Sequence, residues 1–407
     1  MRLLKKRISE NLIYIPLLWI ATGMFAFSKG DKILLIILGL CICISLITDG
    51  LSTIKHNWSN NPWLKWLLVL ALFGVISDKV HGFGSREIRA LLTALLLFTF
   101  LNLKNLRLIN IVILLLVASS SATFISYFYQ NIHIIDRRYW PVNAIPFASY
   151  ITLLISISLL LSRYVSNNMA KAILILSSFL GFIALLITES RGPLIALVCT
   201  FFSCALYLIW YKKINWKFII YCSIVVAIAI ISTLPYLQSR YNETVTEVNQ
   251  IQKGNYNTSA GLRLSVYAIG LNMMKEKPIF GHGKDNLHAR WDLMLKNKEI
   301  NSYVHQVLSW NFHNNFIEKG VTSGLIGIAT MFLWLGMPII YGWRLYKEYF
   351  LLFSAPPMLY FFASLMDTPA TNGSSYVTYL IFVGLILTTV KNHTDRKNKT
   401  VEESHLA

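Results

Sequence analysis

Apolar runs of roughly 15 to 21 residues alternate with short hydrophilic connectors along most of the chain, and one polar stretch, from Leu237 to Gly320, interrupts them. A membrane span takes about 20 apolar residues, fewer where flanking side chains snorkel to the interface. By that measure twelve spans are expected, near 12–28, 33–49, 63–77, 89–103, 108–128, 144–162, 169–188, 193–211, 217–236, 321–341, 348–363 and 376–390. The third, fourth and eleventh are short. Backbone groups in lipid pair within their own segment or close into a barrel, and these runs lack the short alternation of barrel strands, so an all-α polytopic membrane fold follows. The expected divisions are spans one to nine over 1–236, a large loop over 237–320, spans ten to twelve over 321–390 and a polar, disordered tail over 391–407.

Inside the loop, Thr244–Lys253 and Arg263–Lys275 have helical pattern. Leu264, Tyr267, Ala268, Leu271 and Met274 make a stripe that would lay the second helix on the bilayer surface or against other helices. Lys277 and Pro278 end it. A last helix over Ser302–Lys319 is expected to run directly into the tenth span, where Gly320 and Gly324 are spaced for close helix contact.

Composition agrees with the pattern. The 407 residues are 55% hydrophobic and 14% charged, against about a quarter charged in soluble domains. The net charge of +18 would suggest nucleic acid in a soluble protein, but here Lys and Arg sit in short connectors, where they set orientation and meet anionic lipid. Nineteen basic residues fall in connectors on one side and eight on the other, which puts both termini in the cytoplasm and the large loop outside, in the periplasm of a double-membraned bacterium. The first run, after Arg2, Lys5, Lys6 and Arg7, reads as an uncleaved helix rather than a signal peptide. All five cysteines lie in apolar runs, so no disulfide framework is implied.

Three side chains at the outer boundary suit chemistry on a phosphorylated lipid. Arg191, in a tight connector between the seventh and eighth spans, has the planar fork that grips phosphate oxygens; a turn arginine snorkelling to head groups or paired with Glu189 is the alternative. Arg263 opens a loop helix, as a second phosphate ligand or an ordinary solvated arginine. His313, just before the tenth span, suits a general base at neutral pH or a histidine capping a helix end. Arg86, Arg89, Arg137 and Arg138 also face outward, toward acceptor phosphates or lipid head groups. His282, Asp285, His288, Asp292 and His305 share the loop without metal-site spacing, so no metal and no cofactor is expected. Gly281, His282, Gly283 and Lys284 fail as a phosphate loop, because Pro278 stands where that pattern needs Gly and Asp285 where it needs Ser or Thr.

Arg191 in Glu-Ser-Arg-Gly-Pro, Arg263 ahead of the Pro278, Gly281 and Gly283 pattern, and His313 followed by Asn314, Gly324, Leu325, Ile326 and Gly327 resemble the O-antigen ligase and polymerase superfamily, in its order. The likeness covers roughly 185–330, and overall size and loop position are similar to enterobacterial O-antigen ligases. Tyr267, where the family usually has Trp, and His282 depart from it. The resemblance implies a metal-independent, inverting glycosyl transfer from undecaprenyl diphosphate-linked O-antigen to a hydroxyl of lipid A-core. Arg191 and Arg263 would bind the diphosphate, and His313 would take the acceptor proton. It leaves an O-antigen polymerase as the nearest alternative; a flippase or transporter would instead show similar halves and ionisable groups at midplane.

Overall fold

The computed structural model describes residues 2–82, 84–211 and 234–406, with isolated positions at 220, 223, 227 and 231. The ninth expected span, with Cys222, falls largely outside them. The described residues are helical with no strand. In order they are α1 (Arg2–Asn11), α2 (Tyr14–Thr22), α3 (Gly30–Asp49), α4 (Ser52–Asn60), α5 (Pro62–His81), α6 (Ser85–Phe100), α7 (Leu108–Tyr127), α8 (Ala144–Leu161), α9 (Asn168–Ile187), α10 (Arg191–Trp210), α11 (Leu234–Gln252), α12 (Ser259–Glu276), α13 (Leu287–Lys296), α14 (Ser302–Trp310), α15 (Asn315–Leu345), α16 (Phe350–Ser364) and α17 (Gly373–Leu406).

Among the described residues seven helices are long and apolar enough to cross a membrane: α3, α7 with its continuation to Ile132, α8, α9, α10, α15 and α17 as far as Asn398. The short third, fourth and eleventh runs form α5, α6 and α16. The first run is not helical throughout. α2 covers it only from Tyr14 to Thr22, and a turn follows, where Trp19 Nε1 donates to the Gly30 carbonyl at 3.0 Å and so ties that turn to the start of α3. The polar tail also departs from expectation, because α17 continues through it. The Asn392 amide donates to the Leu103 carbonyl at 2.9 Å and Arg396 to that of Lys104 at 3.0 Å, which anchors this part of the helix to the connector after α6.

Burial grades the bundle. The most apolar windows of α8 and α17 are 89% and 94% buried, while those of α3 and α10 are 28% and 33% buried, so the first pair is enclosed by protein and the second faces outward. Lipid tails are as apolar as leucine, so helices associate in a membrane through close packing and buried hydroxyls. The contact of α7, α8 and α9 has both. Ser177 Oγ lies 2.9 Å from Ser119 Oγ and 3.1 Å from Ser158 Oγ, and Gly181 leaves room for Ile155 where a Cβ would stand 2.7 Å from it.

The loop packs as a second, smaller core of Val266, Met273, Leu287, Trp291, Val304, Leu308 and Phe312, continuous with Ile317 and Val321 at the start of α15. Of the expected stripe, Tyr267 and Met274 pack against this core. Val266, Gly270 and Met273 are buried, while Leu264, Ala268 and Leu271 are exposed. Gly270 decides this: a Cβ there would lie 2.3 Å from Ile317, so only the glycine face lets α12 approach α15 this closely. Gly320 does the same beside Met274.

α15 is broken at Gly324, which has φ 63° and ψ −153°. An unbroken helix would pair Leu325 N–H with the Val321 carbonyl and Ile326 N–H with that of Thr322. All four groups turn instead to the segment 278–283. His282 N–H donates to Val321 at 2.7 Å and Gly283 N–H to Thr322 at 3.0 Å, while Leu325 N–H donates to Pro278 at 2.8 Å and Ile326 N–H to Ile279 at 3.5 Å. Gly281, at φ +72°, has Ser323 N 2.6 Å from where a Cβ would be. The Pro278, Gly281, Gly283 pattern is therefore the half of a backbone interlock that completes a broken membrane helix. On the same segment, His282 is buried with Nε2 3.0 Å from the Met273 carbonyl and 3.6 Å from Glu276, so it seals the end of α12.

Gly324→Ala places a methyl 2.2 Å from the Ile279 carbonyl at a positive φ and is expected to destabilise the protein by about 1–3 kcal/mol or more. Gly336→Ala, where nothing lies within 4 Å, is expected to be neutral. Thermal unfolding in detergent checks the pair. A second expectation concerns pH. Arg290 grips Glu276 with two bonds, 2.8 and 2.7 Å, and these hold the carboxyl below the ordinary Glu range. A depressed acid contributes stability above its ordinary pKa and loses it as pH falls through the depressed value. The stability difference between wild type and Arg290→Ala should therefore be small at neutral pH, about 0.5 kcal/mol for so exposed a pair, and vanish in strong acid, which Tm measured against pH checks.

Candidate active site at the loop end of the bundle

Arg191 begins α10 after a one-turn connector in which Glu189 takes φ +52°. That left-handed backbone is uncommon for a residue with a side chain. It is braced from outside: Arg137 Nη1 donates to the Glu189 carbonyl at 2.8 Å and to that of Thr188 at 3.4 Å. The Arg191 guanidinium turns to α11, with Nη2 2.9 Å from Glu243 and Nη1 3.5 Å from Glu247. Four residues apart, the two glutamates share a helix face. The second oxygen of Glu247 accepts from Ala260 N–H at 3.2 Å, in the first turn of α12 and one turn ahead of Arg263.

Arg263 and Tyr267 are likewise one turn apart on α12. The Tyr267 hydroxyl donates to the His313 carbonyl at 2.8 Å. Burial pushes its phenol up, the positive charge of Arg263 opposes the rise, and the Asp367 carboxylate adds to it, so both charges stand within Coulombic reach of this ring.

His313 lies in a break between helices, contrary to the continuous helix expected over Ser302–Lys319. α14 ends at Trp310, and Glu318 accepts the Phe312 N–H at 3.1 Å. Asn314 restarts the helix by accepting from Phe316 and Ile317 N–H at 3.0 and 3.2 Å. Side chains thus supply the partners that a continuous helix would have provided. In this break His313 takes φ +51°, its N–H donates to Asn311 Oδ1 at 2.8 Å, and its Nδ1 lies 3.3 Å from Asp367 Oδ1. The Asn314 amide donates to the Leu365 carbonyl at 3.0 Å, so the break is clamped to the turn after α16.

That turn reaches back to Arg191. Met366, beside Asp367, stands 3.6 Å from where a Cβ on Gly192 would be. The fold therefore draws Arg191, Arg263 and His313 to one end of the bundle, linked through Glu247, Tyr267 and the 365–367 turn. Asp367, Glu243 and Glu247 are not among the sequence candidates. The available signal was scarcity: with 19 acids in the chain, a lone Asp in a short connector between apolar helices stands out. Beneath the site a buried ion pair joins Lys319 Nζ to Glu87 Oε2 and ties α15 to α6.

The other outward arginines separate. Arg137 holds the turn before Arg191, and Arg89 Nε lies 3.4 Å from Asp31, while Arg86 and Arg138 are exposed. The loop histidines take separate partners, His305 with Asp292 at 2.8 Å and His282 as above. Among the described residues no three His, Cys, Asp or Glu group as a metal site would.

Residues 176–332 match the family model described as O-antigen ligase, a segment holding Arg191, Arg263, His313 and both halves of the interlock. The O-antigen ligase of Escherichia coli (strain K12) is 28% identical over 211 residues, 51% of this chain and 50% of that protein. An uncharacterized protein of Haemophilus influenzae is 30% identical over 181 residues, 40% of this chain and 43% of that one. The chain spans about half the length of the curated relatives it matches. Residues 176–332, which bring the two arginines and the histidine into one neighbourhood, are thus the part of this multi-pass membrane protein that is similar to the O-antigen ligase superfamily.

Proposed function

We propose that the chain is an O-antigen ligase of the bacterial inner membrane, with its large loop in the periplasm and both termini in the cytoplasm, transferring O-antigen from undecaprenyl diphosphate to a hydroxyl of lipid A-core. The observation that carries this reading is the dyad of His313 and Asp367, tied through Tyr267 to the helix that carries Arg263, with Arg191 linked to the same helix through Glu247.

In this reading Arg191 and Arg263 hold the diphosphate. Their fixed positive charge stabilises the negative charge that grows on it as the sugar leaves, work that a preorganised cation does without rearranging. His313 takes the acceptor proton. Its Nδ1 faces Asp367, so Nε2 is the nitrogen left to act as base, and the carboxylate stabilises the imidazolium that forms. The acceptor oxygen bonds to the anomeric carbon as the bond to the diphosphate breaks, with inversion, and undecaprenyl diphosphate departs. Tyr267 and Asn314 hold the backbone of the base from both sides and are positioning residues.

Arg191→Ala, Arg263→Ala and His313→Ala are each expected to abolish capping of lipid A-core in cells while the protein still inserts. Asp367→Asn should lower kcat by about 10²–10⁴. Wild-type capping by an Arg191→Ala, His313→Ala double variant would refute the assignment. Glu243 and Glu247 already neutralise Arg191, and an incoming diphosphate displaces them. Glu243→Gln with Glu247→Gln should therefore lower the apparent KM for lipid-linked donor in a purified assay, and a raised KM would show that they assist binding instead.

A further inference from the structure

The end of the bundle opposite His313 holds a cavity of about 230 Å³. Its walls are the end of α4, the start of α5, the connector after α6, the end of α15 and the polar continuation of α17. Beyond the break at Gly324, the stretch of α15 from Leu325 to Leu345 corresponds to about 30 Å of helix, as long as the hydrocarbon core is thick, and it separates this cavity from the His313 site at the other end of the bundle.

The lining is polar, basic and built. Asn57 is buried, and its amide donates to the carbonyls of Phe98, Thr99 and Leu101 at 3.0, 3.2 and 2.8 Å, which fixes the end of α6. Arg396 and Asn392 fasten the following connector through the bonds described above, and this places Lys104 at the rim. Lys391 Nζ donates to the Asn60 carbonyl at 2.5 Å. Three cations, Lys104, Lys391 and Arg396, thus line a space with one acid, Asp395. The field reaches the neighbouring His56, which burial first, and then Lys104 and Lys391, hold below the ordinary histidine value.

Both the chemistry and the place favour one ligand class. Lysine and arginine donors beside amide groups match phosphate oxygens. Tyr341 and Tyr346 also line the cavity, and Trp66 Nε1 donates to the Tyr341 hydroxyl at 3.1 Å, an aromatic belt of the kind that marks the head-group level. Basic pockets between helices at that level on the cytoplasmic side hold anionic lipid head groups.

We propose that this cavity binds the phosphate of an anionic phospholipid head group through Lys104, Lys391 and Arg396. Native mass spectrometry of the full chain in detergent, titrated with phosphatidylglycerol or phosphatidylcholine, tests it. Wild type should retain phosphatidylglycerol selectively, and Lys104→Gln with Lys391→Gln should weaken retention about tenfold or more, while Lys29→Gln with Lys32→Gln leaves it unchanged. Equal retention of both lipids, or no loss in the cavity variant, overturns the proposal. So does stabilisation by inorganic phosphate with no selective lipid retention, which would assign the cavity to free phosphate. A measurement on wild type alone guards against a misfolded variant: phosphatidylglycerol with a photoreactive head group should label residues 56–62, 103–107 or 388–396, and labelling confined to other segments overturns the proposal equally.

Discussion

The constraint on which the rest depends is that a backbone broken inside a membrane protein still has to pair all its polar groups. Each unpaired N–H or C=O out of reach of water costs several kcal/mol. At Gly324 the helix gives up two of its own bonds, and the segment 278–283 supplies four partners in exchange. This exchange positions the first turns of α15, and the interhelical break carrying His313 lies immediately before them. It also holds the end of α12 beside the same turns, where Gly270 and Gly320 allow the two helices to touch. The site is precise because the loop is bonded into the membrane helix rather than laid over it.

A second layer of constraint sits on the site residues themselves. Glu189 and His313 both adopt a left-handed backbone, the first held there by Arg137 and the second by Asn311, Tyr267 and Asn314. Strain of this kind persists only where the surroundings over-determine it. The buried pair of Lys319 and Glu87 adds a costly contact at the same level, which links the loop end of α15 to α6. Around Arg191 the charge is balanced by Glu243 and Glu247, so the cation most suited to a diphosphate is kept partnered by groups on a helix that is otherwise largely exposed.

The two ends of the bundle divide the basic residues between them. At the loop end four arginines are held in place, with Arg137 bracing a turn, Arg89 meeting Asp31, Arg191 paired with Glu243 and Glu247, and Arg263 one turn from the tyrosine that bonds the His313 backbone. At the other end lysines and arginines collect around a polar cavity at the head-group level.

The sequence by itself determined the helical membrane architecture, because hydropathy is a local property and lipid leaves the backbone few alternatives. It also marked Arg191, Arg263 and His313, through residue types and motifs. It did not show that the helix of the first run stops at Thr22 or that the 302–319 segment is broken, nor that Gly270 brings its own face of α12 against α15. Those outcomes rest on side chains and backbone groups brought from elsewhere, such as Trp19 on Gly30, Glu318 on Phe312 and Ile317 on Gly270. Asp367 stands 54 positions from His313 and Glu247 stands 56 from Arg191, so no local pattern pairs them. Only tertiary packing decides which distant charge meets which, since Coulombic and hydrogen-bond energies depend on separation in space and not along the chain.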